Sequence, residues 1–191
     1  MTLPELQPKG LMRPFWVYLG ATALVGAGYA DFPLIAFHFQ RSHVVSDQWI
    51  PIFYAIAMGV DALAALVAGR LFDRKGMRVL AVAVFVSAWF APWVFIGGFY
   101  PALAGTALWG LGMGVQESIM RAAIAPMVPA DKRGSAYGIF NAAYGVCWFL
   151  GSALMGTLYD TSIIALIGFS VITQLASIPF LMQVKISRAH S

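Results

Sequence analysis

Charged residues are scarce in this sequence: Asp, Glu, Lys and Arg make up 10% of its 191 residues, whereas 60% are hydrophobic. A soluble domain carries about 25% charged residues, so this composition excludes an ordinary soluble domain and indicates an integral membrane protein. The single cysteine, Cys147, excludes an intrachain disulfide. The apolar runs lack the alternating polarity of transmembrane strands, which predicts an all-α fold.

Signals for several classes of function are also absent. The basic residues that give the net charge of +4 do not gather in one stripe, so nucleic-acid binding is not predicted. The sequence contains no G-x-S-x-G, H-E-x-x-H or G-x-x-x-x-G-K-[ST] pattern, which argues against an enzyme. The three histidines lack the spacing of metal ligands, and no cofactor is predicted.

Long apolar runs, in contrast, fill most of the chain. Six are long enough to cross about 30 Å of hydrocarbon as helices. The first is too long, and too poor in small residues at a cleavage site, for a removed signal peptide. The six predicted spans are Pro14–His38, Ile50–Gly69, Val79–Gly98, Pro101–Val128, Ser135–Leu158 and Ser162–Val184.

The basic residues lie at alternate ends of these spans. Ten of the twelve would therefore share one side of the membrane, against Arg41 on the other side and Arg121 within a span. Because positive loops stay inside, we predict a multi-pass protein of the plasma (inner) membrane with both termini cytoplasmic. The ten are Lys9, Arg13, Arg70, Arg74, Lys75, Arg78, Lys132, Arg133, Lys185 and Arg188.

Two short patterns recur at nearly the same separation. TALVGAG at 22–28 returns as TALWGLG at 106–112, and GRLFD at 69–73 returns as GTLYD at 156–160. They predict two three-helix repeats, at about 14–98 and 101–184, within a single six-helix domain, 1–191. Since three is odd, the second repeat would enter the membrane from the opposite side, a construction typical of secondary transporters.

The stretch GRLFDRKGMR, at 69–78, resembles the loop signature of the major facilitator superfamily, and PADKRGSAYG, at 129–138, resembles another of its turns. Phe72 and Met77 depart from the signature. The resemblance implies one six-helix half of a twelve-helix transporter, more like the C-terminal half. The positions that match the signature are Gly69, Leu71, Asp73, Arg74, Gly76 and Arg78.

In that family the signature aspartate lies near a helix N-terminus across the boundary between two halves. The resemblance therefore implies that Asp73 helps to hold one gating state, with Arg74 in its charge network. A helix N-terminus carries partial positive charge, which makes such a position favourable for an aspartate. The alternative is a solvated turn that only orients the chain.

Four ionisable residues lie within the predicted spans: Asp31, Asp61, Glu117 and Arg121. A charge at the centre of a membrane helix costs about 2.5 to 3.5 kcal/mol, so such residues usually face a cavity or a partner. Glu117 and Arg121 are four residues apart, which predicts an ion pair on one helix face. The resemblance places both on the substrate path; the alternative is a self-satisfied structural pair.

Asp31 stands two residues before Pro33, which predicts a kink beside it. Because a carboxyl removed from water takes up a proton readily, Asp31 is the first candidate for proton or cation coupling, against a carboxylate that only reaches external water. Asp61 would join the gating network or contact a partner. His38, at the end of the first span, is expected to face external water.

These features predict a secondary active transporter of a small solute, working by alternating access in the lipid bilayer. A homodimer of six-helix halves would complete it, and coupling to protons is also expected. The alternative is a non-transporting membrane subunit or the partner half of a separately encoded chain.

Overall fold

The fold consists of helices and short turns, in a computed structural model that describes Leu11 and residues 13–184. Lys9, Lys185 and Arg188 lie outside the described residues. Three single 3₁₀ turns, Asp47–Trp49, Ala125–Met127 and Ala130–Lys132, lie between helices. The α-helices are α1 (Arg13–Gly28), α2 (Phe32–Ser42), α3 (Ile50–Lys75), α4 (Arg78–Ser87), α5 (Phe90–Phe95), α6 (Phe99–Ala122), α7 (Arg133–Thr161) and α8 (Ile163–Gln183).

The first and third predicted spans are each broken into two helices, which corrects the expectation of one continuous helix. Pro33 lies in the first turn of α2, where its missing N–H costs nothing, and the chain breaks between Gly28 and Phe32. In the third span, Pro92 cannot donate to the carbonyl of Ala88, and the break falls between α4 and α5. Proline therefore sets both breaks.

The carbonyl groups freed at the first break find partners on other helices. The Gly28 oxygen accepts hydrogen bonds from Ser170 Oγ at 2.7 Å and Gln174 Nε2 at 3.2 Å, both on α8. The Ala30 oxygen accepts from Trp109 Nε1 of α6 at 2.8 Å. Since an unpaired backbone carbonyl in the membrane interior costs several kcal/mol, these bonds fix the break as a stable feature.

The signature stretch is mostly helical, not a loop. Residues 69–75 form the last turns of α3, and the chain turns only at Gly76 and Met77 before α4 begins at Arg78. Gly76 has φ +62° and ψ −144°, a conformation that residues with a Cβ rarely adopt. The glycine of the signature is therefore needed to end α3.

Five helical segments of the described chain are long and apolar enough to cross a membrane: 13–42, 47–75, 78–95, 130–161 and 163–183. The remaining predicted span, the fourth at Pro101–Val128, corresponds to α6, which has sufficient length but includes four glycines and the polar run Gln116–Ser118. α6 packs against α3, α4 and α5, so much of its surface meets protein instead of lipid. This position explains why α6 is less apolar than the other spans.

Two apolar clusters fill the interior, one toward each end of the bundle. The first joins the start of α1 at Phe15, the start of α4 at Leu80 and the end of α6 at Ile119. The second includes Phe53, near the start of α3, and Phe90, at the start of α5. Successive spans therefore run antiparallel, and the described basic residues at 13, 70–78 and 132–133 lie toward the first cluster.

Glycines bring α3 and α6 into close contact. A Cβ at Gly110 would overlap the carbonyl of Ala57, and a Cβ at Gly114 would overlap the carbonyl of Asp61. Both pairs are spaced by four residues, so the two backbones touch over one helical turn. The packing places Asp61 beside the part of α6 that carries Glu117.

Candidate functional site

Most ionisable residues of the spans lie near Tyr144 of α7, which packs against the first apolar cluster. Tyr144 lies within electrostatic range of Asp31, Glu117 and Arg121. Asp61 lies within range of Glu117. Residues from α3, α6, α7 and the break before α2 therefore form one polar cluster, defined here as Asp31, Asp61, Glu117, Arg121 and Tyr144.

A pocket of about 80 Å³ opens between α6 and α7 within this cluster. Its α7 wall contains three aromatic residues spaced one turn apart: the rings of Phe140 and Tyr144 stack at 5.8 Å, and Tyr144 meets Trp148 edge to face at 5.8 Å. Such a wall suits an organic solute, since aromatic faces contact both apolar groups and cations. The residues that line it are Met113, Gln116, Glu117, Met120, Arg121, Phe140, Asn141, Tyr144 and Trp148.

Glu117 and Arg121 both line the pocket and are exposed, but they form no ion pair with each other. The sequence prediction of a pair on one helix face is therefore wrong for this structure. An i, i+4 pair contributes only about 0.2 to 0.5 kcal/mol, so the two side chains are easily separated. Their charges remain available to a solute or a partner surface.

Three buried polar atoms near the pocket have no hydrogen-bond partner in the described part of the chain: Asp61 Oδ1, Gln116 Nε2 and Trp148 Nε1. Gln116 Oε1 accepts a bond from the Tyr144 hydroxyl at 3.3 Å. Because unpaired buried polar groups cost about 1 to 3 kcal/mol each, they mark places where a ligand or water gains hydrogen bonds. The site thus offers two donors and one acceptor.

The sequence interpretation missed Gln116, Asn141, Tyr144 and Trp148. None of them is charged, so the search for ionisable residues passed over them. The signal that was available is the spacing of Phe140, Tyr144 and Trp148, which places three aromatic residues on one face of α7.

Asp31 occupies the N-cap of α2, where its side chain makes no capping hydrogen bond. It is half-buried, and its backbone carbonyl accepts from Leu34 N at 3.1 Å and Ile35 N at 3.4 Å. The N-terminus of α2 favours a negative charge at this point. The position is beside the backbone break, as the proline predicts.

The signature residues lie apart from the polar cluster. Asp73 is twelve residues beyond Asp61 on α3, about 18 Å along the helix axis. Asp73, Arg74 and Arg78 are exposed, and Gly69 faces Ser118 of α6. Asp73 lies near the C-terminus of its own helix, so the favourable helix N-terminus that the resemblance implies would have to come from another bundle.

A second group of polar contacts joins α2 to α7 at the other end of the bundle. Nδ1 of His38 lies 3.0 Å from the Tyr159 hydroxyl, and Arg41 pairs with Asp160 at 2.8 Å. The prediction that His38 faces water is wrong, because its side chain is only 3% exposed. It points inward from α2 against Phe95 of α5.

Adjacent substitutions in this group should have unequal effects on stability. Tyr159→Phe leaves His38 without its hydrogen bond, which costs about 1 to 3 kcal/mol and lowers the melting temperature by about 2 to 12 °C. Asp160→Asn breaks an ion pair whose side chains are 58% and 67% exposed, which costs about 0 to 1 kcal/mol. Thermal unfolding in one detergent compares them; an equal or larger effect of Asp160→Asn contradicts the assignment.

Comparisons with known proteins agree with this architecture. The sequence model of the Major Facilitator Superfamily matches residues 15–183. Uncharacterized proteins from Mycobacterium bovis and from two strains of Mycobacterium tuberculosis are each 35% identical over 182 residues, which cover 95% of this chain and 44% of theirs. The chain thus spans less than half the length of these relatives. A match of this extent to a family of membrane transporters, and not of enzymes, shows that the chain belongs to the major facilitator superfamily.

Proposed function

We propose that the chain is a secondary active transporter of a small solute that works by alternating access, with a second copy supplying the other six-helix unit. The observation that carries this proposal is the exposure of Glu117, Arg121 and Asn141 around one pocket within predicted spans. Lipid cannot solvate such side chains. This face therefore needs water or another bundle against it.

The depth of the pocket supports this reasoning. Tyr144 is eleven residues beyond Arg133, the first residue of α7, and so lies about 16 Å along that helix. Half of the hydrocarbon thickness is about 15 Å. A pocket near the middle of the membrane is where secondary transporters bind their solutes.

A second unit also agrees with the lengths of the relatives. Because this chain covers 44% of them, each has room for two units of this size. The same proportion fits a partner half encoded by another chain, which remains the alternative. The basic residues at one end of the bundle support an orientation in the plasma membrane with both termini cytoplasmic.

Contacts of the repeated pattern support two inverted repeats. Gly26 in the first copy and Gly110 in the second occupy the same place in T-A-L-x-G-x-G. A Cβ at Gly26 would meet the ring of Tyr144, on the middle helix of the second repeat. A Cβ at Gly110 would meet Ala57, on the middle helix of the first. Each of the two glycines thus contacts the middle helix of the other repeat.

The last glycine of each pattern extends this correspondence. A Cβ at Gly28 would meet Ser170 on α8, and a Cβ at Gly112 would meet Ser87 on α4. Each repeat thereby places its first helix against a serine on the third helix of the other. These paired contacts are expected from a two-fold axis in the membrane plane.

Within this mechanism the polar cluster has divided roles. Arg121 and Glu117 bind charged groups of the solute, and the aromatic wall of α7 holds its apolar part. Asp31, at the break between α1 and α2, exchanges the coupling proton. Asp61 accepts a hydrogen bond from the solute. The signature group, Gly69 to Arg78, holds one gating state when Asp73 reaches a helix N-terminus of the second unit.

Cysteine labelling tests whether the pocket is a water-filled cavity. With Cys147 replaced by serine, Asn141→Cys should react with a membrane-impermeant maleimide, because a thiolate forms only in water. Ile172→Cys, 67% exposed on α8, is the matched control and should stay unreactive in lipid. Equal lack of reaction at both positions would favour a dry interface, as expected for a non-transporting subunit.

A further inference from the structure

A second, larger concavity lies on a different face of the bundle. Residues of α3 and α4 form its walls, and Leu111 and Val115 of α6 form its floor; its volume is about 340 Å³. Val115 and Glu117 are two positions apart, or about 200° around α6. The floor therefore faces away from the pocket between α6 and α7. We call it the α3–α4 groove, lined by Ala64, Val67, Ala68, Leu71, Lys75, Arg78, Val79, Val82, Ala83, Val86, Leu111 and Val115.

The lining is apolar except at one end. Lys75 is the last residue of α3 and Arg78 is the first of α4, so both cations flank the turn at Gly76. Both are exposed and both line the groove. The groove is therefore an apolar channel with two positive charges at its mouth.

We propose that the α3–α4 groove binds an anionic phospholipid, with its phosphate between Lys75 and Arg78 and one acyl chain along the floor. The walls include the exposed residues Leu71 and Val82, so within the bilayer the groove is open to hydrocarbon chains. Lys and Arg both hold phosphate oxygens by charge-assisted hydrogen bonds. Charge complementarity thus selects an anionic headgroup over a zwitterionic one.

The headgroup and the acyl chain of the lipid contribute differently to binding. Each cation near a membrane surface contributes about 1 kcal/mol toward an anionic lipid, so two give a preference of roughly thirtyfold. The acyl chain provides affinity without selecting the headgroup. This inference does not depend on the proposed transport function, because the groove and the pocket use different faces of α6.

Native mass spectrometry can measure the preference directly. Purified protein would be exchanged into mixed micelles containing phosphatidylglycerol and phosphatidylcholine with identical chains, and the bound lipids counted. Lys75→Gln/Arg78→Gln removes the cations of the groove. Arg70→Gln/Arg133→Gln is the control, because both residues are exposed basic residues toward the same end that do not line the groove.

The expected result is that wild type and the control retain phosphatidylglycerol in preference to phosphatidylcholine. In the groove variant the ratio of bound phosphatidylglycerol to bound phosphatidylcholine should fall by at least about tenfold. An unchanged preference in the groove variant would overturn the proposal. Val86→Trp, which fills the groove from a residue that is 37% exposed, should reduce binding of both lipids. If it instead dissociates a dimer and leaves lipid binding unchanged, a second copy occupies the groove, which also overturns the proposal.

Discussion

Replacing Gly114 with alanine is expected to lower the melting temperature of the protein by about 2 to 12 °C. The new methyl group would overlap the backbone carbonyl of Asp61, and neither backbone can move without separating α3 from α6. Overpacking at a rigid contact costs about 1 to 3 kcal/mol, and each kcal/mol corresponds to about 2 to 4 °C in a chain of this size. Gly110→Ala, one turn away against Ala57, should behave in the same way.

The control for this prediction is Gly59→Ala on α3. Gly59 is exposed, and a Cβ there meets no atom within 4 Å, so the substitution should leave the melting temperature unchanged or raise it slightly. Thermal unfolding in one detergent would compare the three variants. If Gly114→Ala is as stable as Gly59→Ala, the close contact between α3 and α6 is not as described.

Replacing Asp31 with asparagine is expected to abolish uptake driven by a proton gradient. An amide cannot carry the coupling proton, yet it keeps the size of the side chain at the N-cap of α2. Glu117→Gln should reduce uptake at any pH, since Glu117 lines the solute pocket itself. Uptake into proteoliposomes, with and without an inward proton gradient, would use the small molecule that the purified protein retains.

Two comparisons make this prediction specific. Asp47→Asn changes an exposed acid outside the polar cluster and should transport at the wild-type rate. Asp31→Asn should still exchange solute across the membrane at equal pH, because binding and rocking remain intact. Wild-type uptake by Asp31→Asn under a proton gradient would remove Asp31 from the coupling step.

Local composition predicted the helices well but not their breaks. Long apolar runs require helices in lipid, so an all-α fold with five or six spans follows directly from the sequence. Pro33 predicted a kink, but the complete separation of α1 from α2 depends on Trp109, Ser170 and Gln174, which accommodate the freed carbonyls. Partners so distant in sequence are not visible in a local pattern.

The site was predicted only through its charges. Because charge is costly in lipid, Asp31, Asp61, Glu117 and Arg121 were conspicuous in the sequence, and the structure brings them into one cluster. The α7 wall, including Tyr144, depends on how α7 packs against α1 and α8. The prediction of a Glu117–Arg121 ion pair was wrong. Spacing along a helix shows which side chains are able to meet, but not which rotamers the two side chains adopt.

The central claim is that two copies complete a transport site at the polar cluster. Native mass spectrometry of protein released from lipid nanodiscs tests it most directly, by recording the number of chains and any retained small molecule. We predict a mass of two chains with a bound solute that is lost from the Glu117→Gln/Arg121→Gln variant, which keeps the net charge. A single chain, or a solute that both proteins retain equally, would contradict the claim.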